Sequence, residues 1–100
     1  MRVDLRVEAR NDLTDAAAFY EDQRDGLGDH FIDCLFSDLE SLESQGGIHE
    51  IAYGLHRALS ERFPFAIYYR VADSVVDVVA ILDCRRDPEA IAQRLGRTMP

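Results

Sequence analysis

The sequence predicts an α+β domain of order β-αα-βββ-α, with a helical hairpin packed on one face of a small antiparallel-rich sheet. Three observations carry this expectation. Residues 2–8 alternate polar and apolar side chains, as a half-buried strand does. Residues 10–45 switch to helical spacing and are interrupted once, at Gly26-Leu27-Gly28. Residues 63–83 hold two apolar runs rich in β-branched and aromatic residues, joined by Ala72-Asp73-Ser74, which is the pattern of a strand hairpin. A strand, two closely linked helices and a meander close most simply as a helical layer on one side of a sheet.

In the first strand, Val3, Leu5 and Val7 face one way and Arg2, Asp4, Arg6 and Glu8 the other. The first helix spans about 10–25, with Leu13, Ala16, Ala17 and Tyr20 on its apolar side. Its early Asp residues suit the positive end of a helix dipole. Gly26 to Gly28 stop it, and Asp29 is placed to cap the next helix. That helix spans about 29–45, with Phe31, Ile32, Leu35, Leu39 and Leu42 as its apolar stripe and an acidic back. A strand is expected over 53–62, where Leu55, Arg57 and Leu59 alternate with His56, Ala58 and Ser60. Two longer strands follow, the first opened by Pro64. Asp87 as cap and Pro88 at the first helical position open a last short helix, docked by Ile91 and Leu95 and ended by Gly96. The tail Arg97-Thr98-Met99-Pro100 is expected to fray.

One hundred residues with 47% apolar and 30% charged side chains make a single domain over 1–100 with one core. The net charge is −8 and uneven. Residues 1–50 hold four Arg against thirteen Asp or Glu, a net of −9, while 51–100 hold seven against six, a net of +1. Such a chain repels phosphates over a broad surface, so any anion contact must be local and come from the second half. There is no Lys, hence no lysine nucleophile or base. No apolar run is long enough to span a membrane and no secretory signal opens the chain, so a cytoplasmic location is expected. Cys34 and Cys84 lie 50 residues apart, without metal-ligand spacing, and are expected to be buried free thiols. Neither a metal nor a cofactor is expected.

The strand pair carries a further expectation. On 65–71, Phe65, Ile67, Tyr69 and Val71 share one face and Ala66, Tyr68 and Arg70 the other. On 75–82, Val75, Val79 and Ile81 face one way and Val76, Val78, Ala80 and Leu82 the other. A sheet with helices on one side should have a wetter second face, so the apolar excess predicts a partner covering part of it, the alternatives being a loop or tail of the chain folding over it or simply a central strand. Arg85 and Arg86, adjacent at a strand end and closed by Pro88, are expected to meet that partner, the alternative being that one of them pairs with Asp83 or Asp87 at the surface.

Asn11 to Glu21, Gly26-Leu27-Gly28-Asp29-His30-Phe31, Arg62-Phe63-Pro64-Phe65-Ala66-Ile67-Tyr68-Tyr69-Arg70 and Arg85-Arg86-Asp87-Pro88 resemble the RelE/ParE toxin superfamily, and within it plasmid stabilisation proteins. The resemblance covers about residues 3 to 95. It implies the toxin of a type II toxin–antitoxin pair, neutralised by an antitoxin segment laid across the sheet and helices, as a hetero-oligomer that meets DNA only through the antitoxin. It implies one of two actions. A ParE-like toxin binds a protein target, DNA gyrase, without hydrolysis; Tyr68, Arg70, Val79, Ile81, Arg85 and Arg86 are then the expected partner contacts. A RelE-like toxin cleaves messenger RNA in the ribosome, a reaction that needs a base, an acid and cations for the phosphate. Arg57, Arg70, Arg85 and Arg86 are the available cations and Glu61 the available base. Residues 85–100 contain no His, Tyr or Lys, which favours the non-hydrolytic action. A non-toxic member that only binds its partner is the third expectation. Toxins of this superfamily are more often basic, and the acidic helical hairpin departs from that pattern.

Overall fold

The computed structural model describes residues 1–98. The elements are β1 (Arg2–Leu5), α1 (Val7–Gln23), α2 (Leu27–Gln45), β2 (Ile51–Ala52), β3 (Leu55–Leu59), β4 (Phe65–Ala72), β5 (Val75–Asp83) and α3 (Pro88–Thr98). The sheet runs β1-β5-β4-β3-β2, parallel between β1 and β5 and antiparallel elsewhere.

α1 and α2 cover one face. Leu13 and Tyr20 of α1 and Phe31, Leu35, Leu39 and Leu42 of α2 bury against Phe65, Ile67 and Tyr69 of β4 and Val76, Val78 and Ile81 of β5. At one end Tyr20, Phe31, Phe63 and Phe65 pack ring against ring, with centroids 5.0–6.3 Å apart. The opposite face is the apolar surface expected to need a partner. The chain covers it itself: Ile91 and Leu95 of α3 seat on Leu55, Ala66, Tyr68, Val79, Ala80 and Leu82.

The face assignment on β5 also changes. Tyr68 pairs with Ala80 but Tyr69 pairs with Val78, which leaves Val79 as an extra residue in β5. A bulge of this kind shifts the alternation by one. Val76 and Val78 therefore share the α1–α2 side with Ile81, while Val79, Ala80 and Leu82 turn to α3.

The first strand is shorter than the alternation predicts. The Arg6 N–H still donates to the Val78 carbonyl at 3.0 Å, but α1 starts at the next residue and leaves Val7 68% exposed. The Arg6 guanidinium holds Asp77 at 2.8 and 3.2 Å, fixing the chain where it turns from sheet to helix. The hydrogen bond from Arg6, and secondarily its charge, holds the Asp77 carboxyl below its ordinary value.

The expected strand over 53–62 is two strands. Tyr53 and Gly54 both have positive φ (57° and 79°), so they form a tight turn between β2 and β3. Asp29 is not the cap of α2. The Glu21 carboxylate of α1 reaches across the turn and accepts the Gly26 and Gly28 N–H groups at 3.0 and 2.9 Å. Those bonds, the one from Gly26 first, lower the Glu21 pKa. α3 continues through Gly96 to Thr98 rather than ending at glycine; the rest of the expected frayed tail, Met99 and Pro100, lies outside the described residues.

Gly28 sits where the two helices touch: a β-carbon there would stand 2.6 Å from the Ala17 carbonyl oxygen. Gly28→Ala is therefore expected to cost about 1–3 kcal/mol, because backbone must move to admit it. A lower urea midpoint at unchanged slope would report the loss. A midpoint equal to the parent's would mean the helices do not meet at this residue.

Candidate functional site: an arginine cleft and an apolar groove

Of the basic residues singled out in the sequence, most are paired with acidic groups of the same chain. Arg85 donates to the Asp83 carboxylate through Nε at 3.1 Å and Nη2 at 2.8 Å, and its backbone N–H donates to the same group at 2.8 Å. Its side chain also meets the Tyr20 hydroxyl, whose phenol is pushed up by burial and drawn back by this charge. Arg70 lies 3.5 Å from Asp77, which it shares with Arg6. The adjacent pair expected to face a partner together thus differs in pairing: both are exposed, but Arg85 is tied to Asp83 while Arg86, among the described residues, makes no ion pair.

Arg86 instead lines a cleft of about 380 Å³ with Arg57, Glu50, Tyr53, Tyr68 and Cys84. β3 delivers Arg57 on the α3 side of the sheet, opposite Tyr68 of β4. The guanidinium is one-quarter exposed and lies 3.6 Å from the Glu50 carboxylate. The Tyr68 hydroxyl beside it raises its pKa further, against the opposing effect of burial. Tyr53, 44% exposed, stands edge-on to Tyr68 with centroids 6.2 Å apart. Two cations, two phenols and one carboxylate can hold an anionic group. The cleft lining contains no imidazole. Glu61, the expected base, lines a different cleft with His30 and Arg62. His56 alternates away from Arg57 as expected, pairing with Tyr69 on the α1–α2 side.

Three expected partner contacts lie beneath the chain's own elements. Tyr68 and Ile81 are 1% exposed and Val79 is fully buried. Both cysteines are free, but each is only partly buried. Glu50 and Tyr53 were not singled out in the sequence. The Tyr-Gly turn was their one available signal, and a continuous strand over 53–62 hides it.

A second feature lies on the hairpin. A groove of about 680 Å³ runs between β1, α1 and α2, lined by Val3, Leu5, Leu13, Ile32 and Phe36 with Asp4 and Arg10 at its rim. Phe36 is 47% exposed, and β1 is the edge strand of the sheet. An edge strand beside an apolar groove can take an added extended segment.

α3, which roofs the arginine side, is tied to α1 through Asp12. Asp12 accepts two bonds from the Arg94 guanidinium, at 2.7 and 2.8 Å, and a third from the Ile81 N–H at 3.0 Å.

The model for the ParE toxin of type II toxin–antitoxin systems matches residues 3–88. The chain belongs to the ParE toxin family. Comparison with curated proteins returns no match. Membership in the ParE family makes this a toxin of the type II class, with an antitoxin as its implied partner. The fold agrees: a helical hairpin on a sheet in the order expected from the resemblance, with β2 and β3 replacing one strand. No helix among the described residues is long and apolar enough to cross a membrane.

Removing the Asp12 carboxylate leaves Arg94 and the Ile81 N–H without their partner in a partly buried site. Asp12→Ala is expected to cost about 2–4 kcal/mol. A double-mutant cycle with Arg94→Ala should be strongly non-additive. Additive losses in denaturant unfolding would refute the clasp.

Proposed function

We propose that the chain arrests growth by binding a protein target, DNA gyrase, and that its antitoxin silences it from the groove between β1, α1 and α2. Family membership supports the toxin role. The observation that carries the binding mode is the apolar groove beside an open strand edge. Asp4, Glu40 and Glu43 stand along this surface, so the antitoxin segment that fits is apolar with basic flanks. That chemistry suits the acidic half of the chain, and contact with DNA then runs through the antitoxin.

The arginine cleft is the surface for the target. Arg57 and Arg86 would receive an acidic group of that protein, with Tyr53 as an aromatic contact. A second reading, cleavage of messenger RNA, draws support from the same two cations standing in one cleft. It is disfavoured by the separation of Glu61 from them and by the Glu50 carboxylate lying against Arg57.

The purified chain is expected to inhibit gyrase supercoiling, and Arg57→Ala with Arg86→Ala to weaken that inhibition by tenfold or more, on the order of a lost interfacial anchor pair. Primer extension on RNA from induced cells should show no new ends. Codon-phased cuts, abolished by the same double variant, would replace gyrase binding with the ribonuclease reading. Absence of both effects would leave a binding-only member.

Phe36→Glu places a charge in the groove at a side chain already half exposed, so the fold should survive. Antitoxin affinity is expected to fall at least about tenfold, while growth arrest by the free toxin persists. Unchanged affinity by titration calorimetry would move the antitoxin off this surface.

A further inference from the structure

Gly47, His49, His56 and Tyr69 form a cluster that the toxin role leaves unused. Tyr69 is fully buried on β4, and its hydroxyl lies beneath the segment that leaves α2. The Gly47 N–H donates to that hydroxyl at 2.9 Å, and His49 Nδ1 stands 2.5 Å from it. An amide N–H only donates, and among the described residues Nδ1 is the one acceptor within reach of the buried phenolic hydrogen, so the arrangement that satisfies every group has Nδ1 accepting it. His49 is therefore neutral, with its own hydrogen on Nε2. His56 Nδ1 lies 2.7 Å from the His49 carbonyl, which only accepts, so His56 carries its hydrogen on Nδ1. The His56 ring stacks on Tyr69 at 5.1 Å, and the His49 ring stands edge-on at 5.6 Å.

We propose that this cluster is a proton-operated latch: neutral His49 holds residues 46–52 on the sheet, and protonation of His49 releases them. A proton on Nδ1 turns an acceptor into a donor. It then points at an oxygen that already receives the Gly47 N–H, and the phenolic hydrogen loses its acceptor in a buried site. The titratable groups that face His49 are His56 from β3 and Tyr69 from β4. Neither offers negative charge at neutral pH. The adjacent Glu50 carboxylate lies 3.6 Å from Arg57 instead.

The direction of titration agrees. Burial first, then the neighbouring His56, lowers the His49 pKa from 6.5. A group whose pKa is lower in the closed form stabilises that form fully above its open-form pKa. The stabilisation drains away as pH falls from about 6.5 through the closed-form value. Besides the Tyr69 contacts, the segment is held to the sheet by the His56 bond to the His49 carbonyl, the Arg57 contacts with Glu50 and a short strand pairing. β2 pairs through only Ile51 and Ala52, and Ile48 and Ile51 are 73% and 62% exposed. The same segment carries Glu50, whose carbonyl accepts the Arg57 N–H at 2.9 Å, and leads into Tyr53. Acid therefore opens one wall of the arginine cleft, whatever the cellular target.

The Gly47 amide reports the latch directly by hydrogen exchange, corrected for the intrinsic pH dependence of the exchange chemistry. Its protection in the full chain is expected to fall between about pH 7.5 and about pH 5, by up to about tenfold per unit of pKa difference between closed and open forms. Core amides of β4 and β5 should hold their protection. His49→Gln supplies an acceptor that does not titrate, so Gly47 should stay protected at both pH values. Tyr69→Phe removes the hydroxyl and should leave Gly47 unprotected at both. Protection that does not change with pH in the parent chain, or that falls equally in His49→Gln, would overturn the latch.

Discussion

β4 and β5 carry apolar side chains on both faces, and a strand pair built this way has no stable arrangement with one face wet. At roughly 25 cal/mol per Å² of apolar surface, leaving either side in water would forfeit several side chains' worth of burial. The rest of the chain answers that constraint. The helical hairpin fills one side around Phe31, Leu35 and Tyr69. α3 folds back over the other, through Ile91 and Leu95. The bulge at Val79 allows β5 to serve both layers, because it turns Val76 and Val78 toward one and Ala80 and Leu82 toward the other.

The charges follow the same scaffold. Asp12 stands where β1 has ended and the edge of β5 would be bare; it accepts the Ile81 N–H and holds α3 through Arg94. Asp77 gathers Arg6 and Arg70 at the start of α1. Asp83 fixes Arg85. These acidic residues of α1 and β5 consume arginines that would otherwise offer the cationic surface typical of the superfamily. Other arginines, Arg10, Arg24 and Arg62, stay exposed and scattered over the surface, while Arg57 and Arg86 stand together in a cleft walled by phenols. A cleft of this size, in a chain of net charge −8, fits a single anionic group. It is poorly suited to a long phosphate backbone.

The two proposed surfaces lie on opposite layers of the molecule. The groove belongs to the hairpin and β1; the cleft belongs to β3, the end of β5 and α3. An antitoxin segment in the groove can therefore act on the target site only by bulk, by extending around the sheet edge, or through the elements that both surfaces share. The His49–Tyr69–His56 cluster belongs to those shared elements, since Tyr69 is core to the hairpin side while the segment above it walls the cleft.

By itself the sequence determined the architecture: strict alternation in β1, helical spacing around Gly26–Gly28, and two β-branched runs leave few ways to close a sheet under a hairpin. It also determined which residues titrate or carry charge, and the absence of Lys. Features set by contacts between distant residues were not legible. Glu21 caps a helix other than its own: it accepts the Gly26 and Gly28 N–H groups five and seven residues on, where the next helix starts before the expected cap, Asp29. The Val79 bulge is invisible to a period of two, because pairing with β4 decides where the extra residue goes. The two arginines of Arg85-Arg86 look equivalent in sequence. Only the position of Asp83 and Tyr20 decided that one is tied down while the other, among the described residues, makes no ion pair. The apolar far face was legible as a demand for cover, but which segment supplies it depends on the reach of the chain beyond Pro88, and tertiary packing gave that task to α3.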